Sequence, residues 1–325
     1  MTVFVTILLF LIGVALIVKG GDIFVDAASW IAEISGIPKL IIGATIVSIA
    51  TTLPENIVSC MAAAQGKIDM SIGNAVGSVT ANIGLIMAIS ILCMPSAIKR
   101  KDYLVKSVLM LLASAVIVVG GFFGKLNLPL VILLIVILAV FIYENVHSAI
   151  VANSKEKSEQ IGINEKKTAT KKDIVINILK FVLGAAGIVF GADLLVDNGS
   201  ELARLVGVSE RIIGVTIIAI GTSLPELVTT ITAVIKKQSS LSLGNILGAN
   251  ILDLTMILPL SSLFSGQALP ISSSSAMFDL PACLLVGAIA IIPTLITSKF
   301  KRWQGFALLS VYVVYMVLTC VVTAI

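Results

Sequence analysis

Apolar residues run along this chain in blocks of roughly 20, divided by short clusters of charge, glycine or proline. Each block is long enough to cross a hydrocarbon layer about 30 Å thick as a helix. Ten blocks predict membrane helices near residues 3–32, 39–65, 70–95, 103–123, 127–150, 173–203, 211–235, 240–264, 276–297 and 303–324. The first lacks the short core and small-residue cleavage site of a signal peptide, so it is expected to be a retained helix. Hydrophobic residues make up 58% of the 325, charged residues 12%, and the mean hydropathy is +1.11. These values lie outside the soluble range and predict an all-α integral membrane protein.

The pattern repeats. At an offset of 171 residues the chain matches itself without a gap, pairing Gly13 with Gly184, Gly20 with Gly191, Asp22 with Asp193, Asp26 with Asp197, Ser29 with Ser200 and Gly43 with Gly214. The match runs on to pair GATIVSIATTLPE (43–55) with GVTIIAIGTSLPE (214–226), and GNAVGSVTAN (73–82) with GNILGANILD (244–253). Each copy holds five predicted spans. An odd number makes the second copy enter the membrane from the other side, which predicts two inverted-topology five-helix repeats, residues 1–152 and 173–325. The charged segment 153–172 lacks apolar periodicity and is expected to be a solvated linker.

Loop charge orients the chain. Sixteen lysines and arginines fall on the face holding Lys39, Lys99 to Lys101, Lys106, the linker lysines, Lys236, Lys237, Lys299, Lys301 and Arg302. Four, namely Lys67, Lys125, Arg204 and Arg211, fall on the other. The richer face is expected to be cytoplasmic, placing both termini outside a multi-pass plasma-membrane protein with a cytoplasmic linker. The four cysteines lie in apolar spans without CxxC spacing and are expected to pack. With His147 as the one histidine, at a helix end, neither a catalytic triad nor a His-rich zinc site is expected.

Candidate chemistry sits in the middle of the spans. Pro54 and Pro225 each remove a backbone donor, so the preceding turn should carry carbonyls lacking a helical partner. In lipid, protein, water or an ion must satisfy those groups. Around the prolines stand Thr51, Thr52, Glu55, Thr222, Ser223 and Glu226, and farther on Ser78, Asn82 and Asp253. A carboxylate at mid-membrane costs about 3 kcal/mol on insertion scales, so three unpaired ones would cost about 9 kcal/mol. No lysine or arginine lies in the same stretches, whereas a bound cation would compensate the charge. Carboxylates, hydroxyls, an amide and carbonyls are hard ligands suited to calcium, magnesium, manganese or sodium. Their flexibility and double negative charge favour dehydrated calcium over magnesium, with sodium as a competitor.

TTLPE and GTSLPE, each followed by a Gly-Asn helix start, resemble the α-repeats of the cation/calcium antiporter superfamily, in particular its prokaryotic sodium/calcium exchanger branch. The resemblance spans both halves. It implies secondary active exchange of sodium for calcium by alternating access, with Glu55 and Glu226 as central calcium ligands helped by the carbonyls of Thr51 and Thr222. The hydroxyls of Thr52, Ser223 and Ser78 and the backbone oxygens of Ser48 and Ala219 would serve sodium sites, and Asn82 and Asp253 would line the middle. Calcium and sodium are then transported substrates in a lipid bilayer. No organic cofactor, nucleic acid, obligate protein partner or enzymatic activity is implied.

Two positions depart from the family pattern. Position 249 is alanine where the second repeat usually offers serine, and Ala50 replaces the glycine usual before the first motif. The missing hydroxyl keeps proton-coupled exchange of calcium or another divalent cation as the alternative, although the proton-coupled branch usually carries a Gly-Asn-x-x-Glu motif and histidines near its site. A hydrolase would need a Gly-x-Gly-Asp, HExxH or Ser/His arrangement, none of which is present. Asp22 with Asp26, and Asp193 with Asp197, share one face of the first and sixth helices at i, i+4 spacing. That placement fits solvated helix-end charges or a cation entrance.

Overall fold

The computed structural model describes residues 3–95, 97–159, 170–207, 221 and 223–322, with only the backbone described at 153–159 and 320–322. Helices dominate: α1 (Val3–Ser35), α2 (Lys39–Ala64), α3 (Ile68–Cys93), α4 (Arg100–Phe122), α5 (Leu128–Glu159), α6 (Lys171–Leu205), α7 (Leu224–Ile235), α8 (Ser239–Ser265), α9 (Ser275–Thr297) and α10 (Arg302–Val322). Eight of these are long and apolar enough to cross a membrane by length and composition. Their outward faces carry large exposed apolar residues, such as Phe4, Leu8 and Leu11 on α1 or Ile178, Val182 and Leu183 on α6. An aqueous protein rarely exposes so much contiguous apolar surface; lipid accepts it.

Most predicted spans start and stop within a few residues of these helices. Glycines in the left-handed region end α1 and α2, at Gly36 (φ 66°) and Gly66 (φ 75°), where any side chain would be strained. Two differences are informative. The helix α5 runs on to Glu159, because Lys155, Glu156, Lys157 and Glu159 are good helix formers even where no apolar stripe calls for a helix. Pro54 lies inside a continuous helix from Ser48 to Ala64, whereas Pro225 falls in the first turn of α7, where a missing N–H costs nothing. The first half of the predicted span 211–235 lies mostly outside the described residues.

Irregularity enters instead as π turns. They occupy Gly43–Val47 in α2, Asn82–Met87 in α3, Asp253–Ile257 in α8 and Ser275–Asp279 at the start of α9. Two of them begin at Asn82 and Asp253, which the 171-residue repeat pairs. A π turn widens the helix by one residue per turn and often marks a functional position.

The chain divides into two compact units, each drawn from both sequence halves: residues 1–51 with 143–245, and 52–142 with 246–325. In the first unit α1 and α6 pack backbone to backbone. A Cβ added at Gly13 would lie 2.9 Å from Gly191 O, and one added at Gly20 would lie 2.9 Å from Gly184 O. As α1 advances from 13 to 20, its partner retreats from 191 to 184, so the two helices run antiparallel. The contact is also reciprocal, since Gly13 pairs with Gly184 and Gly20 with Gly191 in the repeat. Phe24 and Phe181 extend this seam with ring centroids 4.5 Å apart, over a core of Val25, Ala28, Ile42, Val47, Ile188 and Leu241. Gly43 on α2 and Gly244 on α8 likewise meet backbone to backbone.

In the second unit α4 packs on α9 and α10 on α3, with Gly84 receiving the ring of Tyr312 and Gly305 the side chain of Leu92. The connections ending α4 and α8 pair as short antiparallel strands, β1 (Lys125–Leu126) and β2 (Leu269–Pro270). Gln304, fully buried, donates to Ile289 O, Ala290 O and Thr294 Oγ1 and accepts from Lys301 N, closing the turn between α9 and α10. Lys106, expected among the loop charges, is completely buried on α4 and leaves that tally.

The glycine seam yields a test. Gly20→Val should lower the stability of the detergent-solubilised protein by about 1–3 kcal/mol through overpacking against backbone, seen as a lower melting temperature. Gly73→Ala, where a Cβ meets nothing within 4 Å inside a helix, should leave the melting temperature no lower, since alanine is the better helix former.

Candidate ion-binding site

The helix α2 is amphipathic in the inverted sense. Ser48, Thr51, Thr52 and Glu55 stand at i, i+3, i+4 and i+7, so one helical face holds all four, and all four are buried. The opposite face exposes Ile49, Leu53, Ile57 and Met61. A stripe of hydroxyls and a carboxylate therefore faces protein while leucine and isoleucine face outward. The unit boundary falls within this stripe, between Thr51 and Thr52.

In the first unit, Thr51 Oγ1 donates to Ser48 O and to Asn245 Oδ1, both at 3.3 Å, joining α2 to α8. Ser48 Oγ turns back to Thr45 O at 3.1 Å. Ser223 precedes the first turn of α7 and Glu226 lies in it; both are buried, Glu226 with 1% exposure. Among the described residues Ser223 Oγ has no hydrogen-bond partner. Thr222 and Ala219 lie outside the described residues.

In the second unit, Glu55 and Asp253 are each 1% exposed. Asn74 on α3 donates to the backbone carbonyl of Glu55 at 3.2 Å and to Ser59 Oγ at 2.9 Å, fixing the turn that carries the glutamate. Ser78 and Asn82, one turn apart on α3, are buried too, and among the described residues neither Ser78 Oγ nor Asn82 Oδ1 has a hydrogen-bond partner. Buried side-chain oxygens are normally satisfied, so such atoms call for a partner that the described residues do not provide. Asn82 and Asp253 each open a π turn. Among the described residues no cluster of three or more His, Cys, Asp or Glu side chains converges to hold a metal. A cation held here would thus draw on hydroxyl, amide and carbonyl oxygens as well as carboxylates.

Sequence reasoning missed three asparagines. Asn74 and Asn245 are repeat-paired in the two Gly-Asn starts and both bind α2, one as donor and one as acceptor. The third, Asn250, accepts from Asn82 Nδ2 at 3.0 Å. The recurrence of Asn74 and Asn245 was visible in the sequence; the contacts of all three were not. Asp22 and Asp26 also find a partner. Lys236 Nζ lies 3.1 Å from Asp22 Oδ1, 2.8 Å from Asp26 Oδ1 and 2.9 Å from Asp22 O, tying α1 to the end of α7.

Helices that face lipid with aliphatic side chains and turn carboxylates, hydroxyls and amides inward define an ion-handling membrane protein. The chain belongs to the sodium/calcium exchanger protein family, whose profile matches residues 5–146 and 176–321 and skips the charged connection between them. It is 31% identical to sodium/calcium exchanger MaX1 of Methanosarcina acetivorans over 357 residues, covering 96% of this chain and 98% of that one. It is 35% identical to inner membrane protein YrbG of Escherichia coli, covering 86% of each. Among solved structures, the sodium-calcium exchanger NCX_Mj soaked with 10 mM Na+ and no Ca2+ superposes with a TM-score of 0.79 at 28% identity, over 97% of this chain and 99% of that one.

The asparagine bracing Glu55 can be tested directly. Asn74→Ala should cost about 1–3 kcal/mol of stability by leaving Ser59 and the Glu55 carbonyl short of a donor, measured as a drop in melting temperature in detergent. An unchanged melting temperature would mean that water replaces the amide.

Proposed function

We infer that this protein is a secondary active antiporter that exchanges sodium for calcium by alternating access at a site within the membrane. The observation that carries this reading is the pair of buried oxygens on Ser78 and Asn82 without hydrogen-bond partners among the described residues, in the same unit as the buried carboxylates of Glu55 and Asp253. Buried oxygen lone pairs that accept no hydrogen bond suit a desolvated hard cation. Family membership and full-length similarity to named sodium/calcium exchangers support the same assignment.

In this reading Glu55 and Glu226 hold calcium with the carbonyls of Thr51 and Thr222. Thr52, Ser78 and Ser223, with the backbone oxygens of Ser48 and Ala219, hold sodium, and Asn82 and Asp253 line the centre. The roles of Thr222 and Ala219 rest on their repeat pairing with Thr51 and Ser48. Because sodium and calcium share the carboxylates, occupancy by one expels the other, and that competition is the physical basis of exchange. Ten membrane helices form two inverted repeats, 1–152 and 173–325, with 153–172 and the lysine-rich loops cytoplasmic and both termini outside. The reciprocal antiparallel contact of α1 and α6 supports the inversion. The protein needs no organic cofactor and catalyses no bond-making step.

A second reading, proton-coupled calcium exchange, is favoured by one observation: Ala249 is fully buried where a hydroxyl would complete a sodium site. Calcium uptake into proteoliposomes separates the two. Loading with sodium and diluting into sodium-free buffer should drive uptake, and a pH gradient alone should not; the reverse result would overturn sodium coupling. Glu55→Gln and Glu226→Gln should each abolish sodium-driven uptake while the protein remains folded and monodisperse. Wild-type flux in either variant would refute the site assignment.

A further inference from the structure

Asn82, Asn250 and Met110 form a directed chain inside the second unit. Asn82 Nδ2 donates to Asn250 Oδ1 at 3.0 Å, and Asn250 Nδ2 donates to Met110 Sδ at 3.8 Å. All three are buried, with 1%, 0% and 1% exposure, on α3, α8 and α4. An asparagine amide has a donor end and an acceptor end of nearly equal shape, so chemistry has to decide which way it points. The thioether decides it here. Sulfur carries no proton and only accepts, so the end of Asn250 that faces Met110 must be the NH2 group. The Asn250 oxygen then faces α3 and takes up the NH2 of Asn82. Asn82 is left with its oxygen free, and among the described residues that oxygen has no hydrogen-bond partner. The reversed chain would set the Asn250 oxygen against sulfur, lone pair to lone pair, and consume the Asn82 oxygen.

We propose that Asn250, oriented by Met110, is a positioning residue that keeps the amide oxygen of Asn82 available to the transported cation. A cation repels an amide NH2, so Asn82 serves as a ligand in only one of its two orientations. The repeat carries an independent sign of this function. The residue paired with Asn82 is Asp253, whose carboxylate offers oxygen either way and needs no orienting, and the residue paired with Asn250 is Val79. The orienting amide thus stands against the amide ligand, and its repeat counterpart is a valine that can orient nothing. This assignment rests on the exchange reading given above, in which Asn82 lines the ion site.

The test is calcium binding to the purified full-length protein, with sodium-driven calcium uptake in proteoliposomes measured alongside. Asn250→Leu should weaken calcium binding about 10-fold or more, as expected when the partner orienting a metal ligand is lost, and raise half-saturating calcium in uptake more than it lowers the maximal rate. Asn250→Asp, which keeps an acceptor toward Asn82, should stay nearer wild type, and Met110→Leu should give a smaller shift than Asn250→Leu. Combining Asn250→Leu with Asn82→Asp should restore most of the calcium affinity, because a carboxylate needs no orientation. Wild-type affinity in Asn250→Leu, or a loss that Asn82→Asp does not relieve, would overturn the proposal. A wild-type protein that binds calcium but shows no sodium-driven uptake would overturn the exchange reading and leave the binding comparison to judge Asn250. One that binds no calcium would overturn both.

Discussion

A buried oxygen that accepts no hydrogen bond needs another source of positive charge, and Ser78 and Asn82 hold such oxygens in the same unit as the buried carboxylates of Glu55 and Asp253. The surrounding architecture follows from that need. Helices internalise their own backbone groups, which lets polar side chains be gathered without exposing unsatisfied peptide groups to lipid. On α2 the polar positions recur at helical spacing while Ile49, Leu53 and Ile57 face outward, so one helix serves lipid and site at once. The asparagines do the fine work: Asn74 holds the Glu55 turn, Asn245 takes the Thr51 hydroxyl, and Asn250 takes the NH2 of Asn82.

The seam between α1 and α6 answers a different requirement. Lipid gives helices little hydrophobic reason to associate, so close approach and dispersion have to hold them. Glycines at 13, 20, 184 and 191 remove the Cβ atoms that would separate the backbones. Such a seam brings the two backbones into direct contact, and Phe24 and Phe181 close it with ring centroids 4.5 Å apart. Beside this seam Lys236 clasps α1 to the end of α7, and its repeat counterpart, Gln65, carries no charge.

Much of this was legible in the sequence, and for identifiable reasons. Membrane helices announce themselves because twenty apolar residues have few other uses, and most of the described ends fall within a few residues of the predicted ones, α5 excepted. Duplication made Glu55, Glu226 and their neighbours stand out, since a costly residue kept twice is rarely there for packing. What stayed hidden was whatever depends on contacts between distant segments. Nothing local marks Lys106 as buried, and Asn250 reads as an ordinary polar residue until Asn82 and Met110 are seen on either side. The proline at 54 suggested a break, but proline neighbours in a packed bundle can be accommodated without ending the helix, and the departures from α geometry fell elsewhere.

The π turn at Asn82–Met87 also makes the length of α3 part of its function. Deleting one residue from the α segment just before it, where no bulge takes up the change, would turn everything beyond by about 100° and shift it by about 1.5 Å. Gly84 would leave the ring of Tyr312, and the inner face of α3 would become its outer one. A change of side chain in this turn alters one contact, whereas a change of length re-addresses a whole half-helix. Single-residue insertions and deletions, readily absorbed where loops meet solvent, should therefore be strongly selected against here, and the residue count from Ser78 to Cys93 should vary less among relatives than the residues that fill it.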